Sequence, residues 1–360
     1  MLSGVREATM TRHVNVALPF ASWPDEDQQV WEACFDSTDI FDEAPCSHLS
    51  AATRQGRQAA YGLWLGYLSL IEPDCLELSA PERINRSRIE DYAAYLRENC
   101  RDTTISHQLG RLFYSIRAMY PDRDWRWLYH IARRIARQAK PIKHPMVLSS
   151  DLYALGLRLM DKAEVKAKRA CRVTKSAAMM YRDGLLIATL VEAPMRRRAF
   201  SQLRLNEHLR RIGNRWVIMV PEDLTKTRRF QEYWLSERLT KATDVYLDRF
   251  RLAFPGAEDH DWLWTYVGRA MTDKMIRRRT IRWTHGALGF PVSPHRFRNA
   301  AANFILAADP ENVRVAKDLL GHTSFAMTEK HYIDAAQSRL AGRALQNILS
   351  EMKEGDHAHL

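Results

Sequence analysis

The chain lacks the patterns that mark secreted, membrane-spanning and zinc-binding proteins. No apolar run approaches the length that crosses a bilayer, and the N-terminus has no long apolar core typical of a secretory signal. The five cysteines are scattered and never occur in a Cys-x-x-Cys or Cys/His spacing. We therefore expect a cytoplasmic protein with reduced cysteines, without a disulfide framework or a zinc site.

Two common kinds of catalytic machinery are also missing from the sequence. It contains no Gly-rich phosphate loop of the Walker A type. Near the motifs described below, it has no cluster of carboxylates of the kind that binds catalytic metal ions. These absences favour a protein that works without a nucleotide or metal cofactor.

Positive charge is concentrated beyond residue 50. The whole chain has 54 Lys and Arg against 43 Asp and Glu. Residues 1–50 hold nine of the acidic and two of the basic side chains, so residues 51–360 carry an excess of 18 positive charges. This balance favours a polyanionic partner, because Lys and Arg that neutralise phosphates release bound counterions. Simple solubility of a basic protein explains the charge equally well.

Length and hydrophobic spacing predict two domains. Residues 1–50 show no sustained helical period and are predicted to form an acidic arm, partly ordered at best. Residues 51–139 have apolar side chains at helical spacing, which predicts an all-helical domain. Residues 140–150 contain two prolines and several basic side chains, which is typical of an extended linker. Residues 151–360 then form the second domain.

The second domain is predicted to be mainly helical with a small antiparallel sheet, an α+β domain in a mainly α protein. Three short segments, RLNEHLRRI, NRWVIMV and FQEYWLS, have the composition of strands and are separated by turn residues. Helical spacing precedes them and returns after them, from about residue 240 to residue 352.

Three short segments carry the residues best suited to chemistry: PMRRRAFSQL at 194–203, SPHRFR at 293–298 and LLGHTSFAMTEKHY at 319–332. Arginine suits a phosphate ligand because its planar guanidinium donates two parallel hydrogen bonds and stays charged. On a helix that begins near Pro294, His295 and Arg298 share one face because they are three residues apart.

In this order and at these spacings the segments resemble the tyrosine recombinases, the phage integrase family. The resemblance extends over residues 180–340 and, more loosely, over the predicted helical domain. It assigns the nucleophile to Tyr332 and the contacts with the scissile phosphate to five further residues. These are Arg196, Lys226, His295, Arg298 and His322.

Neighbouring side chains compete for two of these assignments. The family register, aligned on Phe200, selects Arg196, but Arg197 and Arg198 are adjacent alternatives. Ala199 stands where the family often has Glu. In the turn between the second and third predicted strands, Arg228 and Arg229 compete in the same way with Lys226.

The spacing before the predicted nucleophile also departs from the family pattern. The tyrosine of the family most often follows the second histidine by nine residues, a position that His331 occupies here. Tyr332 is one residue further along and is the only tyrosine nearby, so a loop insertion of one residue accounts for the difference.

The resemblance implies a metal-free transfer of a phosphoryl group between DNA and Tyr332. Lys226 is implied to protonate the departing 5′ oxygen, and His295 to accept the proton of Tyr332. Arg196, Arg298 and His322 are implied to stabilise the charge that develops on the phosphate. The implied product is a 3′-phosphotyrosyl link, which stores the bond energy for rejoining.

The resemblance further implies double-stranded DNA with specific recombination sites as partner, and a homo-oligomer, a tetramer, on that DNA. Apolar residues at helical spacing over 338–352 predict a helix that docks on a neighbouring protomer or packs on its own. Two other functions stay open: a type IB topoisomerase or resolvase, and an inactive DNA-binding protein of the same fold.

Overall fold

The computed structural model describes residues 17–36, 44–140, 144–225 and 228–308. The chain divides into two compact units, Met1–Lys143 and His144–Leu360, and the division falls within the range of the predicted linker. Among the described helices, none combines the length and the apolarity needed to cross a membrane.

In its described part, the first unit is built from helices and short helical turns and has no strand. Its α-helices are α1 Asp25–Ala33, α2 Ala51–Ile71, α3 Ala80–Arg83, α4 Arg86–Arg97, α5 Asp102–Met119 and α6 Arg126–Gln138. Side chains define two of the helix starts. Glu82 accepts a hydrogen bond from the backbone of Ser79 at 3.1 Å, and Asn85 accepts one from the backbone of Arg88 at 3.0 Å. These bonds satisfy polar groups that a helix start leaves without a helical partner.

Part of the segment interpreted as an acidic arm belongs to the core of this unit. Trp23 and Trp31 are only 3% and 1% exposed. The rings of Trp23 and Tyr61 meet edge to face, with their centroids 4.8 Å apart. Asp27 is fully buried, where it pairs with Arg83 at 2.5 Å and accepts a hydrogen bond from Tyr61 at 2.8 Å. Trp23 therefore packs against α2 and Trp31 packs against Trp23, although these aromatic residues form no helical period in the sequence.

The second unit is mainly helical and contains the strands. Its α-helices are α7 Ser149–Arg169, α8 Lys175–Glu192, α9 Arg197–Ser201, α10 Glu237–Val245, α11 Asp273–Leu288 and α12 Pro294–Ala308. Its strands are β1 Leu209–Ile212, β2 Arg215–Val220, β3 Gln231–Trp234, β4 Thr265–Tyr266 and β5 Arg269–Ala270. The predicted fold class, a mainly helical protein with a small antiparallel sheet, is confirmed.

The three predicted strands form one antiparallel sheet in the order β1, β2, β3. Ile218 in the central strand pairs with Leu209 on one side and with Tyr233 on the other, and all three side chains are buried. The hairpin of β4 and β5 was not predicted, because strands of two residues are too short to show an alternating pattern. Its turn contains Gly268 at a positive φ of 66°, a conformation that glycine adopts without strain.

Helices α7 and α8 pack closely because glycines meet at their contact. A Cβ added to Gly156 would lie 2.7 Å from the carbonyl oxygen of Gly184 and 2.8 Å from the backbone nitrogen of Ala188. A Cβ added to Gly184 would lie 2.6 Å from the carbonyl oxygen of Gly156. Side chains at these two positions would therefore push the helices apart.

A buried carboxylate connects α8 to α11. Asp183 is fully buried and forms an ion pair with its neighbour Arg182 at 2.7 Å. From α11, Arg279 pairs with the same carboxylate at 2.5 Å and the Trp283 indole donates to it at 2.8 Å. Arg182 also donates to the carbonyl oxygen of Thr265 in β4 at 2.9 Å. A buried charge with this many partners is costly to disrupt, so the network fixes α11 against α8.

We expect Gly156→Ala to lower the stability of the second unit by about 1–3 kcal/mol, because the added methyl group overlaps backbone atoms of α8. Urea unfolding followed by circular dichroism would measure the shift in midpoint. Gly286→Ala in α11 is the matched control, since a Cβ there meets nothing within 4 Å. It should be neutral or stabilising by up to about 1 kcal/mol. Equal midpoints for the two variants would contradict close packing of α7 and α8.

Candidate active site

A short turn connects α8 to α9 and carries the first candidate arginine. Arg196 occupies the N-cap position of α9, in an extended conformation with φ −68° and ψ 140°. Just before the turn, the Glu192 carboxylate accepts three hydrogen bonds. One comes from the Tyr153 hydroxyl at 2.8 Å. The other two come from Ser236, from its hydroxyl at 2.7 Å and from its backbone nitrogen at 2.8 Å. Because Ser236 follows β3 and begins α10, these bonds hold the end of α8 beside the end of β3.

The first turn of α12 carries the two residues of the HxxR motif. Phe297 is 1% exposed and anchors the turn in the core, while His295 remains exposed at the surface. Arg298 is 4% exposed, and its guanidinium donates a hydrogen bond to the backbone carbonyl oxygen of Pro194. This bond brings the HxxR motif against the turn that carries Arg196.

The candidate phosphate-binding side chains line one cavity of about 440 Å³. Its lining consists of Arg196, Arg197, Arg198, Asp273, Arg277, Ser293, Pro294, His295 and Arg298. The lining has one carboxylate, Asp273, which pairs with Arg197 at 2.7 Å. Positive charge therefore dominates the cavity, which suits an anionic group such as a phosphate.

A second cavity of about 580 Å³ adjoins the first. The two cavities share Arg277, Ser293 and His295 in their linings. His295 therefore borders both cavities, in agreement with its exposed side chain.

The pKa of His295 is lowered from the usual value for histidine. Partial removal of the ring from water is the main cause, and the positive charges of Arg298 and Arg196 act in the same direction. A lowered pKa keeps the imidazole neutral near neutral pH, so one ring nitrogen can accept a proton. Neutral imidazole is the form that a general base requires.

Tyr233 of β3 lies near enough to the same arginines for their charges to act on its hydroxyl, a proximity that the sequence did not predict. Its hydroxyl donates a hydrogen bond to the side-chain oxygen of Gln231 at 3.3 Å. Burial raises the pKa of Tyr233, whereas the nearby charges of Arg298 and Arg196 act to lower it. The alternating pattern of β3 indicates that this side chain points inward, but no local pattern links it to arginines in other segments.

The structure thus brings together three of the six predicted residues, Arg196, His295 and Arg298, around one cavity. Lys226, His322 and Tyr332 lie outside the described residues, as does the helix predicted over 338–352.

The competing arginines differ in their surroundings. Arg197 is paired with Asp273, whereas Arg198 is exposed beside the same cavity. Arg228 and Arg229, the alternatives to Lys226, are both exposed, and Arg228 has a positive φ of 48°. In the part of the chain that the structure describes, no group of three or more His, Cys, Asp or Glu side chains could hold a metal ion.

A family model matches about half of the chain. The model of the phage integrase family matches residues 158–339, a range that contains the turn after α8, the sheet and the HxxR motif. Among curated proteins, none matches the chain significantly.

Two solved structures of a recombinase resemble the chain in fold. The XerH site-specific recombinase bound to difH substrate, a pre-cleavage complex, has a TM-score of 0.54 and 18% identity, over 80% of this chain and 79% of that chain. XerH bound to palindromic difH substrate, a post-cleavage complex, has a TM-score of 0.54 and 15% identity, over 84% of this chain and 89% of that chain. At such low identity, the likeness concerns the fold alone.

We expect Arg196→Gln to raise the pKa of His295, because one of the two cations that oppose protonation of the ring is removed. The pKa should stay below its usual value, since the main cause, removal from water, remains. An NMR titration of the DNA-free protein measures this, with His295→Gln identifying the resonance. Arg169→Gln removes an equal charge at the end of α7 and should leave the pKa of His295 unchanged. If both variants give the wild-type pKa, Arg196 does not act on His295.

Proposed function

The chain belongs to the phage integrase family, and we therefore propose that it is a site-specific DNA recombinase that cleaves and rejoins DNA through a covalent 3′-phosphotyrosyl intermediate. The observation that carries this proposal is the cationic cavity on which Arg196, His295 and Arg298 converge. They come from two segments that are distant in sequence, and the fold gives them a common ligand-sized space.

In the proposed reaction, Arg196 and Arg298 bind the nonbridging oxygens of the scissile phosphate. Their charges stabilise the transition state, in which negative charge accumulates on those oxygens. The bond between Arg298 and Pro194 supports this role, because an arginine that is already oriented loses little freedom when the phosphate binds. His322 is proposed to donate a further hydrogen bond to a nonbridging oxygen.

Proton transfer completes the proposed mechanism. Tyr332 attacks the phosphorus, His295 accepts the phenolic proton, and Lys226 protonates the 5′ oxygen as its bond to phosphorus breaks. The lowered pKa of His295 supports its role as proton acceptor. The phosphotyrosyl bond retains the energy of the broken phosphodiester, so the reverse reaction rejoins the strand without a nucleotide or a metal cofactor.

The proposed partner is double-stranded DNA that carries specific recombination sites. The described XerH complexes contain the difH substrate, and by likeness of fold we extend a DNA partner to this chain. The exposed arginines of α6 support a contribution of the first unit to phosphate binding: Arg126, Arg133, Arg134 and Arg137. On DNA, the protein is proposed to act as a tetramer.

We expect the wild-type protein to form a covalent adduct with a nicked duplex, because the short cleaved strand diffuses away and rejoining stops. The binding sequence is first selected from a pool of random duplexes, and the nick is then moved one nucleotide at a time across it. Tyr332→Phe should form no adduct but should keep its affinity for the selected duplex, since the cationic contacts remain. Denaturing gel electrophoresis and peptide mapping report the adduct and its position.

His331→Ala is the matched control, because it changes the residue at the usual spacing of the family and should retain adduct formation. An adduct that persists in Tyr332→Phe would overturn the assignment of the nucleophile. Tight binding by the wild type without any adduct would favour the inactive DNA-binding protein. Adduct formation without strand exchange between two duplexes would favour a topoisomerase or a resolvase.

We expect Lys226→Ala to slow cleavage of an ordinary phosphodiester by 100-fold or more, the size of a typical general-acid contribution. A substrate with sulfur in place of the bridging 5′ oxygen should be cleaved at nearly the wild-type rate, since a thiolate leaves without a proton. Single-turnover rates on both substrates measure the difference. For the controls Arg228→Ala and Arg229→Ala, any change in cleavage rate should be the same on the two substrates. An equal loss on both substrates in Lys226→Ala would show that another group is the acid.

A further inference from the structure

The chain enters the second unit along one side of the candidate site. Residues 144–147, which we call the entry segment, begin this unit and lie just before α7. Val147 is buried in the core of the unit, whereas His144, Pro145 and Met146 are exposed. The entry segment is therefore anchored at its end but exposed to solvent before that point.

The side chain of Arg296 fastens the exposed part of the entry segment to the first turn of α12. Its Nη2 donates a hydrogen bond to the carbonyl oxygen of Pro145, and its Nη1 donates to the carbonyl oxygen of Pro291 at 3.2 Å. The same guanidinium lies over the ring of Phe290, with its central carbon 5.7 Å from the ring centroid. Within the described ranges, the bond to Pro145 is the one hydrogen bond that the entry segment makes.

Arginine is well suited to this contact. Its planar guanidinium carries donors in a fixed plane, so it can reach carbonyl oxygens of two different segments at once. Both bonds lie at the surface, where a hydrogen bond contributes only about 1 kcal/mol to stability. The main consequence of the contact is therefore the position of the entry segment rather than the stability of the unit.

The fastened segment forms part of the wall of the second cavity, which His295 also borders. Pro145 and Met146 line this cavity of about 580 Å³ together with His295 and Arg296. Because His295 and Arg296 are neighbours on one helical turn, a pull on the Arg296 side chain acts on the backbone that carries the His295 ring. Movement of the entry segment would therefore change both the space beside this ring and the turn that holds it.

We propose that Arg296 is a positioning residue, which fastens the entry segment to α12 and thereby keeps His295 in place for proton transfer. This inference rests on the proposed function, in which His295 accepts the proton of Tyr332. Arg296 itself neither takes the proton nor binds the scissile phosphate. Its loss should affect the chemical step much more than DNA binding, to which many other cations contribute.

The first test follows the entry segment in the DNA-free, full-length protein. In Arg296→Ala, we expect the backbone order parameters of His144 and Met146 from ¹⁵N relaxation to fall from about 0.85 to below about 0.6, the range of a flexible loop. The reason is that the bond to Pro145 is lost. Unchanged order parameters would show that Arg296 does not hold the segment, and would overturn the inference without any assay of cleavage.

The second test measures cleavage by the same variant. With the nicked duplex described above, we expect Arg296→Ala to form the adduct about 10- to 100-fold more slowly under single-turnover conditions, because a displaced catalytic group reacts slowly. The dissociation constant for the duplex should change by less than about threefold. A loss of affinity as large as the loss of rate would identify Arg296 as a direct DNA contact and overturn the positioning role.

Arg215→Ala is the matched control. The Arg215 guanidinium also donates to a backbone oxygen, that of Leu235 at 2.7 Å, and lies over the ring of Trp234 at 5.9 Å. The control therefore loses the same charge and the same kinds of contact in the same unit, but at the sheet. It should cleave at the wild-type rate and leave the entry segment ordered. Thermal unfolding of both variants shows whether they lose comparable stability.

Arg296→Lys separates the fastening from the charge. Lysine keeps the positive charge but has a single ammonium in place of the planar guanidinium, so it should release the segment and slow cleavage as Arg296→Ala does. In each variant, the rate should follow the order parameters of the entry segment. A released segment together with a wild-type rate in Arg296→Lys would show that charge alone matters, and would overturn the inference.

The outcomes distinguish this inference from the proposed function. Wild-type cleavage together with equal rates of Arg296→Ala and Arg215→Ala overturns the positioning role and leaves the recombinase proposal intact. Absence of any wild-type adduct overturns the proposed function and the positioning role that rests on it. In that case, the order parameters still show separately whether Arg296 fastens the entry segment.

Discussion

A guanidinium that lines a cationic cavity needs a hydrogen-bond acceptor to fix its position among like charges. For Arg298, this acceptor is the backbone carbonyl oxygen of Pro194. It joins the first turn of α12 to the turn that follows α8, two segments that lie far apart in the sequence. The positions of Arg196 and His295 depend on this junction, since Arg196 lies two residues after Pro194 and His295 lies three residues before Arg298 on α12. Because a backbone oxygen accepts the bond, no carboxylate is needed near Arg298 that would compete with a phosphate.

The supporting contacts lie away from the cavity and act on the helices that frame it. The glycine contact sets the spacing of α7 and α8, the Asp183 network holds α11 against α8, and Glu192 fixes the end of α8 beside β3. Rigid support of this kind matters for a reaction that depends on position and charge, because a shift of the phosphate ligands weakens the stabilisation of the transition state. The cavity itself is formed at helix termini and turns.

Local patterns in the sequence predicted the three strands of the larger sheet, most of the helices and the HxxR motif, because each of these depends on residues close together in the chain. The electrostatic influence of Arg298 on Tyr233 could not be predicted, since the two residues come near each other only when β3 and α12 are packed together. The burial of Trp23 and Asp27 was missed for the same reason. Their partners Tyr61 and Arg83 lie in later helices, and the many acidic side chains nearby suggested a solvated arm. The assignments of Lys226, His322 and Tyr332 stay predictions.

The electrostatics of the cavity link substrate binding to the proposed proton transfer. Without DNA, Arg298 and Arg196 oppose protonation of His295, and this contributes to its lowered pKa. A phosphate bound between the same arginines would add negative charge beside the ring and offset their effect, which would raise the pKa of His295 in the proposed complex. A histidine that is neutral in the free protein would therefore be a stronger base in the proposed complex. In this way the two arginines that are proposed to bind the phosphate would also keep His295, the proposed proton acceptor, unprotonated until the phosphate is bound.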